Sequence, residues 1–222
     1  MANRNIVIFG AGQLAEVAHY YFTNNAGRKV CAFTVDAEFL SEDSLLGLPV
    51  VDFQSISKDF PTDKYEIYVA IGYKKINTFR SQKVSEVEKL GYRLASFVHS
   101  KANVWSGISI KPNTFILEQN IIQPFVSIGK NVTLWSGNHI GHHTSISDHC
   151  FISSHVVVAG GVEIGEGSFL GVNSTVRDNV KLGKHVVLGA GSLLLTNAPD
   201  YSVYIGPATA LSRVPSNRLR DI

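Results

Sequence analysis

The sequence has few cysteines, little net charge and no long hydrophobic run. Its two cysteines, Cys31 and Cys150, lie far apart and predict neither a disulfide framework nor a zinc motif, which fits a reducing cytoplasm. A formal net charge of +2 over 222 residues provides no field that would attract nucleic acid or an anionic membrane. Because it has no run of 18 apolar residues and no signal-peptide pattern at its start, we expect a cytoplasmic protein without membrane insertion.

The first half of the chain alternates short apolar runs with helical patterns. Strand-like runs occupy residues 5–9, 29–35, 65–71 and 92–98, and helical patterns lie near residues 14–22 and 76–90. Alternation of strands and helices predicts a parallel sheet with helical crossovers. We therefore expect residues 1–98 to form an α/β domain.

The second half repeats an aliphatic residue at every sixth position. The sixteen anchors of this series are Val104, Ile110, Ile116, Ile122, Ile128, Leu134, Ile140, Ile146, Ile152, Val158, Ile164, Leu170, Val176, Leu182, Leu188 and Leu194. This period predicts a hexapeptide β-helix rather than an ordinary β-sandwich: each hexapeptide forms one face of a triangular prism, and 18 residues form a coil. The anchors are expected to point inward, so that each of about five coils buries the apolar face of its neighbour.

Three segments carry a resemblance to a known family: IVIFGAGQLAEVA, VAIGYKKINTFR and IGHHTSISDHCFISSHVVVAGGVEIGEGSFLGVNSTV. They resemble the hexapeptide-repeat sugar acyltransferases of the NeuD and PglD type, and the resemblance extends over nearly the whole chain. It implies a Rossmann-like domain that binds a nucleotide sugar at residues 1–98. It also implies a left-handed parallel β-helix acyltransferase domain with a C-terminal extension at residues 99–222. Members of this family are homotrimers that hold acetyl-CoA between adjacent β-helices.

A glycine-rich turn lies between the first strand and the first helix. Gly10 and Gly12 let the backbone approach a phosphate, and the helix start favours an anion. With Asp36 at the end of the second strand, this pattern taken alone suggests an NAD enzyme, but about 100 residues are too few for the usual dinucleotide domain. The resemblance instead implies a nucleotide-sugar site at Gly10, Gly12, Gln13, Asp36 and Gly72. A tight turn without a ligand is the alternative.

Five histidines cluster between residues 139 and 155: His139, His142, His143, His149 and His155. A metal site is the obvious hypothesis, but His143, His149 and His155 are six residues apart and are expected to lie at equivalent positions on three different faces. The carbonic anhydrases with hexapeptide repeats carry two ligand histidines five residues apart, and the cluster has no such pair. We therefore expect no metal within one chain.

Acyl transfer needs one general base, and imidazole suits this role near neutral pH. The resemblance implies that His142 is the base. The PglD type has an orienting acidic residue at the next position, which is His143 here, so another group must orient His142, and Asp148, a water or a backbone carbonyl are candidates. His143 is a rival base. Gly160, one coil further, is expected to offer its backbone N–H to the developing oxyanion. A solvated prism face without catalysis is the alternative.

The resemblance also implies a set of residues along the coenzyme. Val172 and Ala190 are expected to line the pantetheine arm beside Gly160. Independently of the resemblance, Arg213 is a candidate partner for a CoA phosphate, and a solvated surface arginine is the alternative. Phe151 occupies the position at which the PglD type has a second histidine near CoA.

The predicted activity is N-acetylation of a nucleotide-linked amino-deoxy sugar by acetyl-CoA, through direct transfer with a histidine base. O-acylation of a sugar of the sialic acid kind is the nearest alternative. A β-helix that binds a nucleotide sugar without catalysis is a third hypothesis from a different class.

Overall fold

A computed structural model of the protein describes residues 4–218. The N-terminal unit contains six strands: β1 (Asn5–Phe9), β2 (Val30–Val35), β3 (Ser44–Leu45), β4 (Leu48–Asp52), β5 (Tyr65–Val69) and β6 (Arg93–Leu94). They form one sheet in the order β3-β4-β2-β1-β5-β6, parallel throughout except for the β3–β4 pair. Helix α1 (Gln13–Asn24) follows β1, and helix α2 (Thr78–Lys89) follows β5.

Both faces of this sheet are covered, because alternate residues of β1 belong to two different cores. Ile6 and Ile8 pack with residues of α1, whereas Val7 and Phe9 pack with residues of α2 and of the short helix Phe53–Lys58. A parallel sheet buried on both sides reads as a continuous apolar run, which is how the first strand was predicted. The expected parallel α/β arrangement is therefore present.

The C-terminal unit contains strands of two residues each on three parallel sheets. Face 1 consists of β8 (Asn103–Val104), β10 (Ile121–Ile122), β13 (His139–Ile140), β16 (Val157–Val158), β19 (Thr175–Val176) and β22 (Leu193–Leu194). Face 2 consists of β11 (Ser127–Ile128), β14 (Ser145–Ile146), β17 (Glu163–Ile164) and β20 (Lys181–Leu182). Face 3 consists of β7 (Phe97–Val98), β9 (Phe115–Ile116), β12 (Thr133–Leu134), β15 (Phe151–Ile152), β18 (Phe169–Leu170), β21 (Val187–Leu188) and β23 (Val203–Tyr204).

The predicted anchors form the core of this unit. From Ile116 to Leu194, every anchor is buried and belongs to one continuous hydrophobic cluster, with Val104 and Ile110 partly buried at its first end. Strands pair at a spacing of 18 residues, as in Ile122↔Ile140. The hexapeptide prism is confirmed, and three parallel sheets of this kind fit a left-handed β-helix. At the other end the last coil is two residues shorter, since Val187 pairs with Val203.

The corners of the prism impose a second period on the chain. Every sixth residue from 113 to 191 has a positive φ, and these residues are Asn113, Gln119, Phe125, Asn131, Gly137, His143, His149, His155, Gly161, Gly167, Asn173, Asn179, His185 and Gly191. Glycine, asparagine and histidine tolerate the left-handed region better than other residues. Three histidines of the cluster are thus accounted for by the backbone conformation of a corner.

The N-terminal unit packs on face 3. Phe97 and Phe115 of this face join the core around α1, and Tyr21 Oη donates to Glu118 Oε2 at 2.8 Å. At the other edge of face 3, Arg80 of α2 reaches the β-helix and donates to Thr133 Oγ1 at 2.8 Å. The two units are thus docked through an aromatic centre with polar contacts on either side. Within residues 4–218, neither helix is long and apolar enough to cross a membrane.

Candidate active site

His142 and Gly160 lie on the corner between faces 1 and 2, one coil apart. A Cβ added at Gly160 would lie 2.6 Å from Cε1 and 2.8 Å from Nε2 of His142, so the imidazole covers the Cα of this glycine. Gly160 has no positive φ, which means that its backbone alone does not require glycine. The absent side chain makes room for the ring. The predicted pairing of His142 with Gly160 is present in the structure.

The His142 imidazole is held by its neighbour in sequence. Nδ1 of His142 and Nδ1 of His143 are 3.1 Å apart, within hydrogen-bond distance. The backbone N–H of His142 donates to Gln123 Oε1 at 2.9 Å. Asp148, which was a candidate to orient His142, instead accepts from the Lys130 backbone N–H at 2.7 Å. The group that meets the ring is therefore His143, at the position where the family carries an acidic residue.

The remaining histidines of the cluster are dispersed, as predicted from their spacing. His149 lies next to the N-terminal unit, where its carbonyl accepts from Arg80 at 3.0 Å. Its Nδ1 lies 2.8 Å from Nδ2 of Asn131 in the preceding coil, and burial lowers its pKa. His155 lies under Gly137, whose missing side chain leaves space for the ring. Among residues 4–218, no group of three or more His, Cys, Asp or Glu side chains is arranged to hold a metal ion.

The glycine turn combines one glycine needed by the fold with one that is not. Gly10 has φ +122°, and a Cβ there would lie 2.8 Å from the Ala70 carbonyl oxygen. Gly12 precedes α1, and a Cβ there would meet nothing within 4 Å. A cavity of about 300 Å³ opens beside this turn, lined by Gly10, Gly12, Asp36, Lys74 and several phenylalanines. The space in front of Gly12 is thus open to a ligand.

Asp36 lines this cavity but already has a partner. Its Oδ1 accepts from Lys83 Nζ at 2.8 Å, and Lys83 also contacts Glu86 Oε2 at 2.7 Å. Although burial opposes it, the two carboxylates together raise the pKa of Lys83. Sequence reasoning placed Asp36 at the pocket but did not find Lys83, because the lysine comes from a helix almost fifty residues later.

A second cavity of about 420 Å³ lies between the N-terminal unit and face 3. Gln13 and Gly72 line one side, and Tyr73, Trp135 and Phe151 provide its aromatic walls. The ring centroids of Tyr73 and Phe151 are 5.1 Å apart. This cavity brings together two predicted nucleotide-sugar residues and Phe151, which was predicted to lie near CoA. The sequence did not predict Trp135, which directly follows the anchor Leu134, as part of this cavity. The six-residue period does not show which face of the prism the N-terminal unit covers.

The other predicted coenzyme residues lie on a different corner. Val172 and Ala190 are on the corner between faces 3 and 1, with Val172 exposed, and Arg213 is exposed in the C-terminal segment. His142 and Gly160 lie at the opposite edge of face 1. Within one chain, the predicted residues thus form three groups: the His142 corner, the Val172 corner and the cavities of the N-terminal unit.

Comparison with known proteins identifies the repeats. A family model described as bacterial transferase hexapeptide (six repeats) matches residues 125–160, 143–178 and 161–196. The chain carries bacterial transferase hexapeptide repeats. A search of curated proteins gives no significant match.

Solved structures resemble this hexapeptide protein over nearly its whole length. A histidine-to-asparagine mutant of perosamine N-acetyltransferase from Caulobacter crescentus, in complex with CoA and GDP-perosamine, is 25% identical with a TM-score of 0.83, covering 92% of this chain and 95% of that one. The acetyltransferase domain of PglB from Neisseria gonorrhoeae is 23% identical with a TM-score of 0.81, covering 94% of this chain and 100% of that one. WeeI from Acinetobacter baumannii is 18% identical with a TM-score of 0.71, covering 92% and 97%.

These neighbours bear on different parts of the prediction. The similarity to PglB and WeeI supports the fold. The perosamine N-acetyltransferase extends the support to chemistry, because it is a sugar acetyltransferase in complex with CoA and a nucleotide amino sugar. The resemblance to hexapeptide-repeat sugar acyltransferases, predicted from the sequence, is confirmed, and so is the prediction of a CoA-dependent acyltransferase.

Proposed function

We propose that this protein transfers the acetyl group of acetyl-CoA to the amino group of a nucleotide-linked amino-deoxy sugar. The observation that carries the proposal is the similarity, over 92% of the chain, to an N-acetyltransferase in complex with CoA and GDP-perosamine. The His142 ring lies against Gly160, and this contact supports the proposal because it puts an imidazole next to a backbone N–H. Because acetyl-CoA is the donor, we place the reaction in the cytoplasm.

In this mechanism His142 acts through Nε2. The sugar amine attacks the thioester carbonyl, a C–N bond forms, and Nε2 accepts the proton that the nitrogen loses. Collapse of the tetrahedral intermediate breaks the C–S bond, and the imidazolium returns the proton to the departing CoA thiolate. In this mechanism His143 orients the His142 ring through the contact between their Nδ1 atoms, and His143 is not itself the base.

Gly160 is proposed to stabilise the oxyanion through its backbone N–H. Among the residues that the structure describes, this N–H has no hydrogen-bond acceptor, whereas the next one, that of Gly161, donates to the His142 carbonyl at 2.8 Å. A preorganised donor aimed at developing charge is a large contributor to acyl transfer. The missing side chain is also what allows the His142 ring to lie against this residue.

The nucleotide is proposed to bind at the glycine turn of residues 1–98, a Rossmann-like domain. The start of α1 and the open space before Gly12 suit a diphosphate, because helix starts favour anions and glycine permits close approach. The cavity lined by Gln13, Gly72 and Phe151 continues from this turn towards the β-helix. We assign it to the sugar side of the substrate, which moves Phe151 from the coenzyme to the acceptor.

One chain does not bring base and substrate together. The N-terminal unit packs on face 3, and the corner of His142 lies opposite that face in a three-sided prism. Acyl transfer therefore needs a second copy, and a homotrimer, the assembly expected from the family resemblance, provides it. Residues 99–222 of one copy would then act on the sugar held by residues 1–98 of another.

Face 1 is the proposed contact between copies. Its outward positions alternate between polar and apolar residues: Ile121, Val157 and Leu193 are exposed by 44%, 42% and 63%, and His139 and Thr175 lie between them. The outward residues of face 2 are polar or charged instead: Ser127, Ser145, Glu163 and Lys181. Several exposed apolar side chains on one flat face favour an interaction surface. Packing across face 1 would also bring the Val172 and Ala190 edge of one copy near the His142 edge of another, with acetyl-CoA between them and Arg213 within reach of its phosphates.

The test is mass spectrometry of the purified protein with acetyl-CoA and a panel of nucleotide sugars. The panel contains GDP-, UDP- and dTDP-linked amino-deoxy sugars and CMP-linked sialic acid. We expect one amino-deoxy sugar to gain an acetyl group while CoA is released. Acetylation of the sialic acid alone would instead indicate a sugar O-acyltransferase. Failure to bind acetyl-CoA would refute the enzyme and favour a binding module.

The role of His142 is tested in the same assay. His142→Ala is expected to lower kcat by about 100-fold or more, since general base catalysis contributes on this order. His185→Asn is the control for the loss of a histidine elsewhere in the β-helix, because His185 occupies a corner between faces 2 and 3, away from the His142 corner. Turnover by His142→Ala at the rate of this control would exclude His142 as the base.

A further inference from the structure

We propose that Phe125 and His143 form a positioning pair that holds His142 in the tautomer with hydrogen on Nδ1. The inference rests on the proposed function, in which Nε2 of His142 is the base. It goes beyond that function because it assigns a tautomer and names the residues that enforce it. Neither Phe125 nor His143 touches the reacting atoms in this arrangement.

The geometry at His142 leaves Nδ1 for the contact with His143 and Nε2 for the substrate. Nδ1 faces Nδ1 of His143 at 3.1 Å, and Nε2 lies beside Gly160, whose absent side chain leaves room for the ring. A neutral imidazole carries one N–H, and the partner of one nitrogen decides where that hydrogen lies. When His142 donates from Nδ1 and His143 accepts, the lone pair of His142 is on Nε2. The opposite assignment would put a hydrogen on the only nitrogen that can reach a substrate.

Three features hold His143 in place: its backbone conformation, a backbone hydrogen bond and a ring contact. Its backbone has φ +59°, and its N–H donates to the Pro124 carbonyl at 3.2 Å. Its ring packs against the ring of Phe125, with centroids 4.6 Å apart and planes inclined by 35°. An acceptor that is fixed in this way presents Nδ1 in a constant direction, and it has no negative charge.

Phe125 is the unusual member of the pair. It lies 18 residues before His143 on the same corner, has φ +65°, and its side chain is 75% exposed. Among the corner positions from residue 113 to 201, only Phe125 and Tyr201 are aromatic outside the histidines, and each packs on the histidine of the neighbouring coil, Phe125 on His143 and Tyr201 on His185. A bulky residue in the left-handed region is strained, and strain of this kind concentrates at functional sites. Neither burial nor backbone preference accounts for phenylalanine here, but contact with the His143 ring does.

The kinetic test uses substitutions that keep the corner intact. His143→Gly retains the left-handed backbone but removes the acceptor, and we expect kcat to fall about ten- to hundredfold while KM changes little. His143→Asn retains the backbone and places an amide oxygen near the former Nδ1, so kcat should return to within about threefold of wild type. Phe125→Asn suits the backbone better, and we expect equal or higher thermal stability together with a lower kcat.

His185→Gly is the control. It makes the same change at a corner with the same left-handed backbone, but the preceding residue there is not a histidine. Equal kcat in His143→Gly and wild type would overturn the proposal. So would a His143→Asn enzyme as slow as His143→Gly.

A second measurement is independent of turnover. In protein labelled with ¹⁵N-histidine, at mildly alkaline pH where imidazoles are neutral, the nitrogen shifts report the tautomer of each ring, and loss of a signal in His142→Ala assigns His142. We expect hydrogen on Nδ1 in wild type and a shift towards the Nε2–H tautomer in His143→Gly. An Nε2–H tautomer in wild type, or no change in His143→Gly, would overturn the pair. If the nucleotide-sugar assay fails, this spectrum still decides the proposal.

Discussion

Gly160 shows how a single absent side chain organises the proposed site. Its Cα lies under the His142 ring, and any Cβ there would come within 2.6–3.1 Å of three ring atoms. Since the His142 side chain is exposed, the ring can swing away from such a contact. A substitution at Gly160 is therefore expected to move the base and to leave the fold intact.

Gly160→Ala is accordingly predicted to lower kcat by about tenfold or more while the melting temperature stays within a few degrees of wild type. The reason is displacement of the base, so the loss should disappear in a His142→Ala background. Steady-state kinetics of the two single variants and the double variant measure this coupling. Additive losses would mean that Gly160 acts independently of His142.

His149 predicts a pH dependence of stability. Burial lowers its pKa in the folded protein, with the neighbouring Arg80 acting in the same direction and Asp148 opposing it. The unfolded chain then binds a proton at a higher pH than the folded one, near the ordinary histidine value of about 6.5. The contribution of neutral His149 to the free energy of unfolding is therefore fully present above the pKa of the unfolded chain. It is lost as the pH falls through the lowered pKa of the folded state.

His149→Asn is expected to flatten this part of the pH profile. Asparagine suits the left-handed backbone at φ +65°, and its amide oxygen can accept from Asn131 as Nδ1 does now. Urea unfolding at several pH values between about 7 and 5 measures the effect. His185→Asn, at another corner, controls for the change of residue type. Identical slopes for His149→Asn and wild type would contradict the role of burial.

Two cationic side chains connect helix α2 to the β-helix, one buried and the other partly exposed. Arg80 is buried and donates to Thr133 Oγ1 at 2.8 Å, to Asn77 Oδ1 at 2.9 Å and to the His149 carbonyl at 3.0 Å. Burial lowers its pKa to about 10, so it remains charged at neutral pH. Lys130 also reaches α2, where it contacts Glu88 Oε2 at 3.0 Å, but both side chains are partly exposed.

Arg80→Ala is predicted to lower the free energy of unfolding by about 2–4 kcal/mol, because it leaves buried acceptors without donors and opens a cavity. Lys130→Ala is the control, because it removes the exposed contact between the β-helix and the same helix α2, and we expect it to cost less than about 1 kcal/mol, as is usual for exposed ion pairs. Urea denaturation monitored by circular dichroism gives both values. Equal costs would show that burial of Arg80 does not matter to docking.

At the scale of the whole molecule, the separation of the His142 corner from the N-terminal cavities predicts that assembly and activity depend on each other. Leu193→Arg places a charge at the most exposed of the three apolar outward positions of face 1, and we expect dissociation of the trimer and loss of turnover. Ser127→Arg, on the polar face 2, should leave both unchanged. Analytical ultracentrifugation and the acetylation assay are read together. A Leu193→Arg trimer, or a fully active monomer, would refute face 1 as the contact.

The repeat architecture could be predicted from the sequence because burial recurs at a fixed interval. The anchors from Ile116 to Leu194 are buried as predicted, and the spacing of 18 residues placed Gly160 beside His142. The spacing of six residues between His143, His149 and His155 likewise predicted that these histidines lie on different corners. The first strand and its glycine turn were also recognised, since a buried parallel strand and a helix start have local patterns.

Contacts between distant segments needed the tertiary structure. The partnership of Asp36 with Lys83, the burial of Arg80 and the position of Phe151 all depend on which surface of the prism the N-terminal unit covers. The pairing of His142 with His143 depends on how two adjacent rings turn at a corner. Periodic patterns report which residues face a core, because burial repeats along the chain. They carry no information on how two surfaces far apart in sequence fit together, because that fit is a property of shapes formed only after each unit has folded.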